Sequence, residues 1–60
     1  MSKWINAQGD TITTDGSVYT ITRNGNPSRC DVSKWSSSAE RWIRNDIKDG
    51  YYKGFKEITN

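Results

Sequence analysis

The side chains that most often perform acid–base and nucleophilic chemistry are scarce in this chain. Its 60 residues include no histidine and a single cysteine, Cys30. Histidine is the commonest general base, and a serine or cysteine nucleophile needs a base to activate it. Neither Cys30 nor the serine run 36–38 is accompanied by a recognisable base. The sequence therefore does not predict nucleophilic catalysis.

The groups that could bind a metal ion or phosphate are also dispersed. The carboxylates are scattered singly, and Asp10 and Asp15 adjoin glycines in predicted turns, while Asp31 is a candidate cap for a short helical turn. One cysteine without histidine cannot form a structural zinc site, and no glycine-rich loop has the spacing of a phosphate cradle. We therefore expect no enzyme, no metal site and no cofactor.

Three basic side chains, Arg41, Arg44 and Lys48, share one side of a predicted helix. This stripe could contact phosphates or an acidic protein surface. It could equally be the solvated side of an amphipathic helix. We favour the second interpretation because the stripe lies opposite the apolar side of that helix.

Aromatic residues are the most informative candidates for binding, because Trp and Tyr dominate interface hot spots. Trp4 either anchors a partner or is covered by the tail 51–58 or by the loop that carries Trp35. The tail mixes aromatics with lysines, which suits base stacking with phosphate contact, or an edge strand protected by charge. The candidates for a protein partner are Trp4, Val18, Tyr51, Tyr52 and Phe55. The candidates for nucleic acid are Arg41, Arg44, Lys48, Lys53 and Lys56.

A sheet with glycine-containing turns must position these side chains. Turn signals at 9–10, 15–16 and 24–25 separate runs rich in β-branched residues, which predicts strands at about 3–8, 11–14 and 17–23. We assume two-residue loops at the first two turns. Alternation then assigns a polar face to Trp4, Asn6, Gln8, Thr11, Thr13, Val18, Thr20 and Thr22. The apolar face collects Ile5, Ala7, Ile12, Tyr19 and Ile21.

The second half of the chain predicts a loop, a helix and a terminal strand or arm. Residues 24–36 are dense in turn formers and are predicted to be a loop, which Val32 and Trp35 could anchor. A capping box from Ser37 to Glu40 begins a helix at about 38–49, and Gly50 ends it. Its apolar side carries Ala39, Trp42, Ile43 and Ile47.

The predicted fold is one α+β domain over residues 1–60, in the order β-β-β-α-β. It has a small antiparallel three- to four-stranded meander with one helix packed across a face, and the tail 51–58 is either the last strand or an arm. A single cysteine fits a reducing compartment, and neither a signal peptide nor an apolar run of about 20 residues is present. We therefore expect a cytoplasmic location and no membrane partner.

In its shortness, single cysteine and lack of a catalytic set, the chain resembles the small stand-alone proteins of bacteriophages and other mobile elements. The resemblance implies a regulator or inhibitor that binds a larger host protein, and it transfers no site residues. The leading prediction is a non-enzymatic protein-binding module. The alternative is a small basic nucleic-acid-binding domain that uses the helix stripe and the aromatic tail, since the net charge is +2. A third hypothesis is a homo-oligomer that pairs through its sheet edges.

Overall fold

The computed structural model describes residues 2–58, in which five strands form one antiparallel sheet. The elements are β1 Lys3–Ile5, β2 Thr11–Asp15, β3 Val18–Arg23, β4 Asn26–Asp31, helix α1 Ala39–Lys48 and β5 Lys56–Ile58. The spatial order of the strands is β4-β3-β2-β1-β5, and α1 packs against one face. The predicted α+β class is confirmed, with one more strand than expected, in the order β-β-β-β-α-β.

The turn between β1 and β2 is longer than the predicted two-residue loop. It is a three-residue loop, 7–9, whose last residue, Gly9, takes a φ of 85°. Such loops place their last residue in the left-handed region, which glycine adopts without strain. Trp4 consequently pairs with Ile12, and Ile5 lies on the other face. The predicted register is wrong by an odd number of positions, so β1 exchanges its two faces.

The turn between β2 and β3 lies one residue later than predicted. Gly16, with a φ of 59°, and Ser17 form the two-residue loop. Ile12 therefore pairs with Ile21 instead of Tyr19. This error displaces the pairing by an even number of positions, so the face on which each side chain lies is unchanged, and Ile12, Tyr19 and Ile21 share a face as predicted.

The predicted loop 24–36 is wrong over the residues of β4. Asn24 and Gly25 have φ values of 52° and 79°, as a type I′ turn requires, and they connect β3 to β4 in a tight hairpin. The turn formers after them do not prevent a strand because β4 lies at the sheet edge. Proline is tolerated in an edge strand where its missing N–H would face away from the neighbouring strand, and Pro27 occupies such a position.

Helix α1 begins one residue later than the predicted capping box. Ser38 is the N-cap, and its Oγ accepts a hydrogen bond from the Arg41 N–H at 3.3 Å. Ser37 is exposed and takes no part in the cap. Gly50, with a φ of 83°, follows the C-cap Asp49, and its N–H bonds to a carbonyl of the last turn. Gly50 is thus confirmed as the residue that ends the helix.

The hydrophobic core lies between α1 and the face of the sheet that carries Ile12. Ile12 and Ile43 are fully buried, and Ala39 and Val32 are also buried. Ile5 is 38% exposed, so its assignment to the core is wrong, and Ala7 lies exposed in a loop. The central cluster comprises Trp4, Ile12, Ile43, Tyr52 and Phe55, with Tyr19, Ile21, Trp42 and Ile47 packed against it.

The tail is neither a continuous strand nor an arm. Residues 51–54 form turns, and only Lys56–Ile58 pairs with β1. Because turns replace the two-residue alternation of a strand, Tyr52 and Phe55 are both buried in the core, whereas in a continuous strand they would lie on opposite faces. Among residues 2–58, no helix is long and apolar enough to cross a membrane.

Candidate interaction surface

The five side chains predicted to contact a protein partner do not form one surface. Trp4, Tyr52 and Phe55 are 2%, 8% and 7% exposed, so a partner of the folded protein cannot reach them. Trp4 packs in one cluster with Tyr52 and Phe55, so the tail covers it and it is not an exposed anchor for a partner. Val18 is half-buried on the face of the sheet that points away from α1, whereas Tyr51 is 74% exposed on the helix side.

No described helix or strand covers the face of the sheet that points away from α1, and we call it the open face. Strand alternation and register determine its members, and none of them is buried. They are Lys3, Ile5, Thr11, Thr13, Asp15, Val18, Thr20, Thr22, Pro27, Arg29, Asp31, Lys56 and Ile58.

Threonines occupy the centre of the open face. Thr11 pairs with Thr22, and Thr13 pairs with Thr20, across the central strand β2 and its neighbour β3. Each threonine offers a hydroxyl that donates and accepts hydrogen bonds beside a methyl group, and its branched Cβ restricts the rotamer. The centre is therefore a stiff, half-polar platform, and little side-chain entropy would be lost on binding.

Charges are separated along the open face. Lys3, Arg29 and Lys56 lie in the two rows of side chains that contain the threonines, and among residues 2–58 neither row contains an acid. Asp15 and Asp31 flank Val18 in the row at one end. The backbone N–H of Ser33, which donates to the Asp31 carboxylate at 2.8 Å, lowers the pKa of Asp31. The open face thus has one acidic end and a larger basic region.

The predicted basic stripe is only partly available to a ligand. Arg41 and Lys48 are exposed, but the Arg44 guanidinium lies 3.0 Å from Glu57 and 3.4 Å from Glu40. These carboxylates raise the pKa of Arg44, and the guanidinium lowers the pKa of Glu57. Arg44 therefore connects α1 to β5.

The other two lysines of the nucleic-acid candidates do not extend this stripe. Lys56 pairs with Ile5 and lies on the open face, on the opposite side of the sheet from α1. Lys53 is exposed in the turn that follows α1. The residues predicted to bind nucleic acid are therefore divided between two sides of the molecule.

Sequence reasoning misjudged the most exposed tryptophan. Trp35 is 66% exposed, and its ring centroid lies 6.0 Å from that of Trp42 on α1. Val32, which is 1% exposed, anchors this loop to the core without Trp35. The segment before Trp35 has neither the helical nor the strand periodicity of apolar residues, so the sequence does not indicate whether Trp35 is buried or exposed.

One polar cluster lies beside the core on the helix side. The hydroxyls of Tyr19 and Tyr52 are 3.2 Å apart, and the half-buried Cys30 thiol adjoins Tyr19. Burial, followed by the hydrogen bond to Tyr52, raises the pKa of Tyr19 far above its usual value. The hydroxyl pair joins β3 to the turn after α1, which is a structural role.

Within residues 2–58, no three side chains of histidine, cysteine, aspartate or glutamate cluster closely enough to hold a metal ion. Comparison of the chain with protein-family models, with curated proteins and with solved structures finds no match. The function must therefore be inferred from the chemistry of the described surface.

Proposed function

We propose that this protein is a non-enzymatic protein-binding module that acts as a regulator or inhibitor of a larger protein, and that the open face is its contact surface. The observation that carries the proposal is a five-stranded face that no described element covers. The proposal includes a cytoplasmic location, since the chain has one cysteine and depends on no internal disulfide.

The composition of the open face supports a protein partner. Ile5 and Ile58 are 38% and 39% exposed, and Val18 is half-buried at the acidic end. Antiparallel sheets often keep one solvated face, which is normally polar. Here the apolar groups lie around stiff threonines, which combines surface that gains from burial with hydrogen-bonding groups.

Affinity purification from the native host tests this proposal. The tagged chain should recover one dominant protein, and that protein should remain bound when the salt concentration is raised, because apolar and hydrogen-bonded contacts are screened little by ions. Both proteins and nucleic acids in the eluate should be identified. Recovery of nucleic acid alone, or of no dominant species, would contradict the proposal.

A second candidate function is nucleic-acid binding, and one observation favours it. Lys3, Arg29 and Lys56 provide three cations in two rows of the open face in which the described residues include no acid. The described residues of this face include no aromatic side chain on which bases could stack, so contacts would be made to phosphates and would be independent of base sequence.

Fluorescence polarisation with single- and double-stranded probes tests this alternative. Binding through phosphates should weaken steeply between about 50 and 200 mM salt, because counterions are released. The variant R29A should bind more weakly than wild type, whereas R41A, on the outer side of α1, should not. Absence of binding at low salt would eliminate this function.

A further inference from the structure

Strand β4 forms one edge of the sheet, and its outer side has no neighbour among the described residues. Five of its six residues are exposed, and Cys30 is half-buried. An edge strand presents unpaired N–H and C=O groups that can pair with another strand.

The register of the hairpin determines which backbone groups of β4 are free. The type I′ turn closes on the pair Arg23 and Asn26, and hydrogen-bonded pairs then alternate with non-bonded pairs along the ladder. Even-numbered residues of β4 therefore bond to β3. The Val32 N–H donates to the Ser17 carbonyl at 2.8 Å, which continues this pattern. The outward groups belong to Pro27, Arg29 and Asp31.

The two outward residues that keep an N–H carry opposite charges two positions apart. Arg29 and Asp31 both lie on the open face. An antiparallel copy of the same strand, with Cys30 on the twofold axis, would set each Arg29 opposite an Asp31. Both positions are hydrogen-bonded pairs of the new ladder, so four N–H···O bonds and two ion pairs would form together.

We propose that the protein forms a homodimer through antiparallel pairing of β4 with β4 of a second copy, centred on Cys30. Charge selects this register over its neighbours. A shift that keeps outward groups paired places either Arg29 opposite Arg29 or Asp31 opposite Asp31, and like charges directly opposite one another destabilise a sheet. The first shift also brings Pro27, which has no N–H, into a hydrogen-bonded position.

The dimer would be a continuous ten-stranded sheet. A twofold axis perpendicular to the sheet keeps both open faces on the same side, so one wide surface results. The pairing is confined to a short edge, and it buries less than the roughly 1,200 Å² of a stable interface, so the dimer should be weak and concentration-dependent. The proposal is independent of whether the open face binds another protein.

Sedimentation equilibrium with charge variants tests the pairing, in reducing buffer so that no disulfide contributes. Wild type should move from the chain mass of 6.9 kDa toward twice that value as its concentration rises into the millimolar range. R29D and D31R should each remain monomeric, because each sets like charges opposite one another. An equimolar mixture of R29D and D31R should form a heterodimer, since the charges are again complementary.

Two controls keep this test decisive. R41D changes the same kind of charge on the outer side of α1 and should dimerise as wild type does. The Asp31 carboxylate also accepts from Ser33, so circular dichroism must show that D31R is folded. If D31R does not fold, the comparison of R29D with R41D decides: R29D should remain monomeric, and R41D should dimerise as wild type does.

Cys30 reports the register. In the proposed dimer, Cys30 of one copy would lie opposite Cys30 of the other as a non-hydrogen-bonded pair on the twofold axis. Their Cα atoms would be about 4.5 Å apart, which is within the range of disulfides. Diamide, the oxidant, takes two electrons and two protons from the thiol pair and should cross-link wild type but not R29D. A wild-type chain that remains monomeric at millimolar concentration, or R29D that dimerises and cross-links as wild type does, would overturn the proposal.

Discussion

At the scale of single residues, the placement of Trp4 depends on one additional residue in a turn. With a two-residue loop, Trp4 would lie on the open face. With the observed loop 7–9 it pairs with Ile12 and is 2% exposed. The residue that looked most like a binding anchor is therefore a core residue, and the open face instead receives Ile5.

Alanine substitution of two tryptophans should separate their roles. W4A should destabilise the fold by about 3–5 kcal/mol, because it removes a fully packed ring from the core. A 60-residue domain has a total stability of only about 3–9 kcal/mol, so W4A should lose at least about a third of it and should melt well below wild type. W35A, which removes a ring that is 66% exposed, should cost about 1 kcal/mol or less. Thermal unfolding followed by circular dichroism compares them, and equal losses would contradict the assigned core.

The ion pair between Arg44 and Glu57 makes a pH-dependent contribution to stability. Hydrogen bonding to the guanidinium lowers the folded-state pKa of Glu57. A carboxyl whose pKa is lowered by folding stabilises the protein above its unfolded pKa, and this stabilisation is lost as the pH falls through the folded value. Asp46 acts in the opposite direction, since burial and then the charge of Asp49 raise its pKa.

The variant E57Q isolates the Glu57 contribution. At pH 6 its melting temperature should lie below that of wild type, because the charge on Arg44 has lost its closest partner. As the pH is lowered toward the folded pKa of Glu57, the difference in melting temperature should shrink, because the carboxylate that pairs with Arg44 becomes protonated. The side chains of Arg44 and Glu57 are both exposed to solvent, so the difference in melting temperature should be small and should shrink in high salt. A difference that does not change between pH 6 and pH 3 would show that Glu57 acts by packing alone.

At the scale of elements, the local signals were read correctly wherever one residue type dictates the conformation. Gly50 ends α1, and the apolar side of that helix faces the sheet as its periodicity indicates. The predicted register of β1 is wrong because two turn geometries can use the same residues. Gly9 suits the first position of a two-residue loop and the last position of a three-residue loop, and only packing of Trp4 against Ile12 distinguishes them.

The start of α1 provides a matched pair of variants. S38A should destabilise the protein by about 1 kcal/mol, because it removes the oxygen that accepts the Arg41 N–H. S37A should have almost no effect, although the sequence pattern predicts Ser37 as the cap. For a domain of this size about 1 kcal/mol corresponds to about 4–8 °C in melting temperature. A larger loss of stability for S37A than for S38A would show that Ser37, and not Ser38, caps the helix.

Strand β4 shows why the sequence predicted one strand too few. The segment that follows Gly25 begins with Asn26 and Pro27, and turn formers ordinarily exclude a strand. The restriction does not apply at an edge, where the proline nitrogen faces away from β3. Whether a strand is central or at an edge is a property of the assembled sheet, so no local pattern reveals it.

At the scale of the whole molecule, the sequence predicted the class of fold but not which surface remains uncovered. The class follows from turn signals, periodicity and helix ends, which are local. The uncovered surface depends on how the tail folds, and the turns at 51–54 bring Tyr52 and Phe55 into the core. Together with the burial of Trp4, that packing removes three of the five predicted partner contacts and leaves the open face as the main candidate.

The proposal that the open face binds a protein is most directly tested by substitution at its centre. Thr13 is exposed there, and its cross-strand neighbours are Lys3 and Thr20. T13E should remain folded, because the new carboxylate lies beside Lys3, while it places a desolvation cost in the middle of any interface. S37E introduces the same group at an exposed site away from the open face and serves as the control.

The measurement is the amount of the dominant host protein that each tagged variant captures, quantified against wild type. We expect S37E to capture as much as wild type and T13E to capture at least about tenfold less, which corresponds to about 1.4 kcal/mol of binding free energy. Equal capture by T13E, S37E and wild type, with all three folded, would contradict the assignment of the open face as the contact surface.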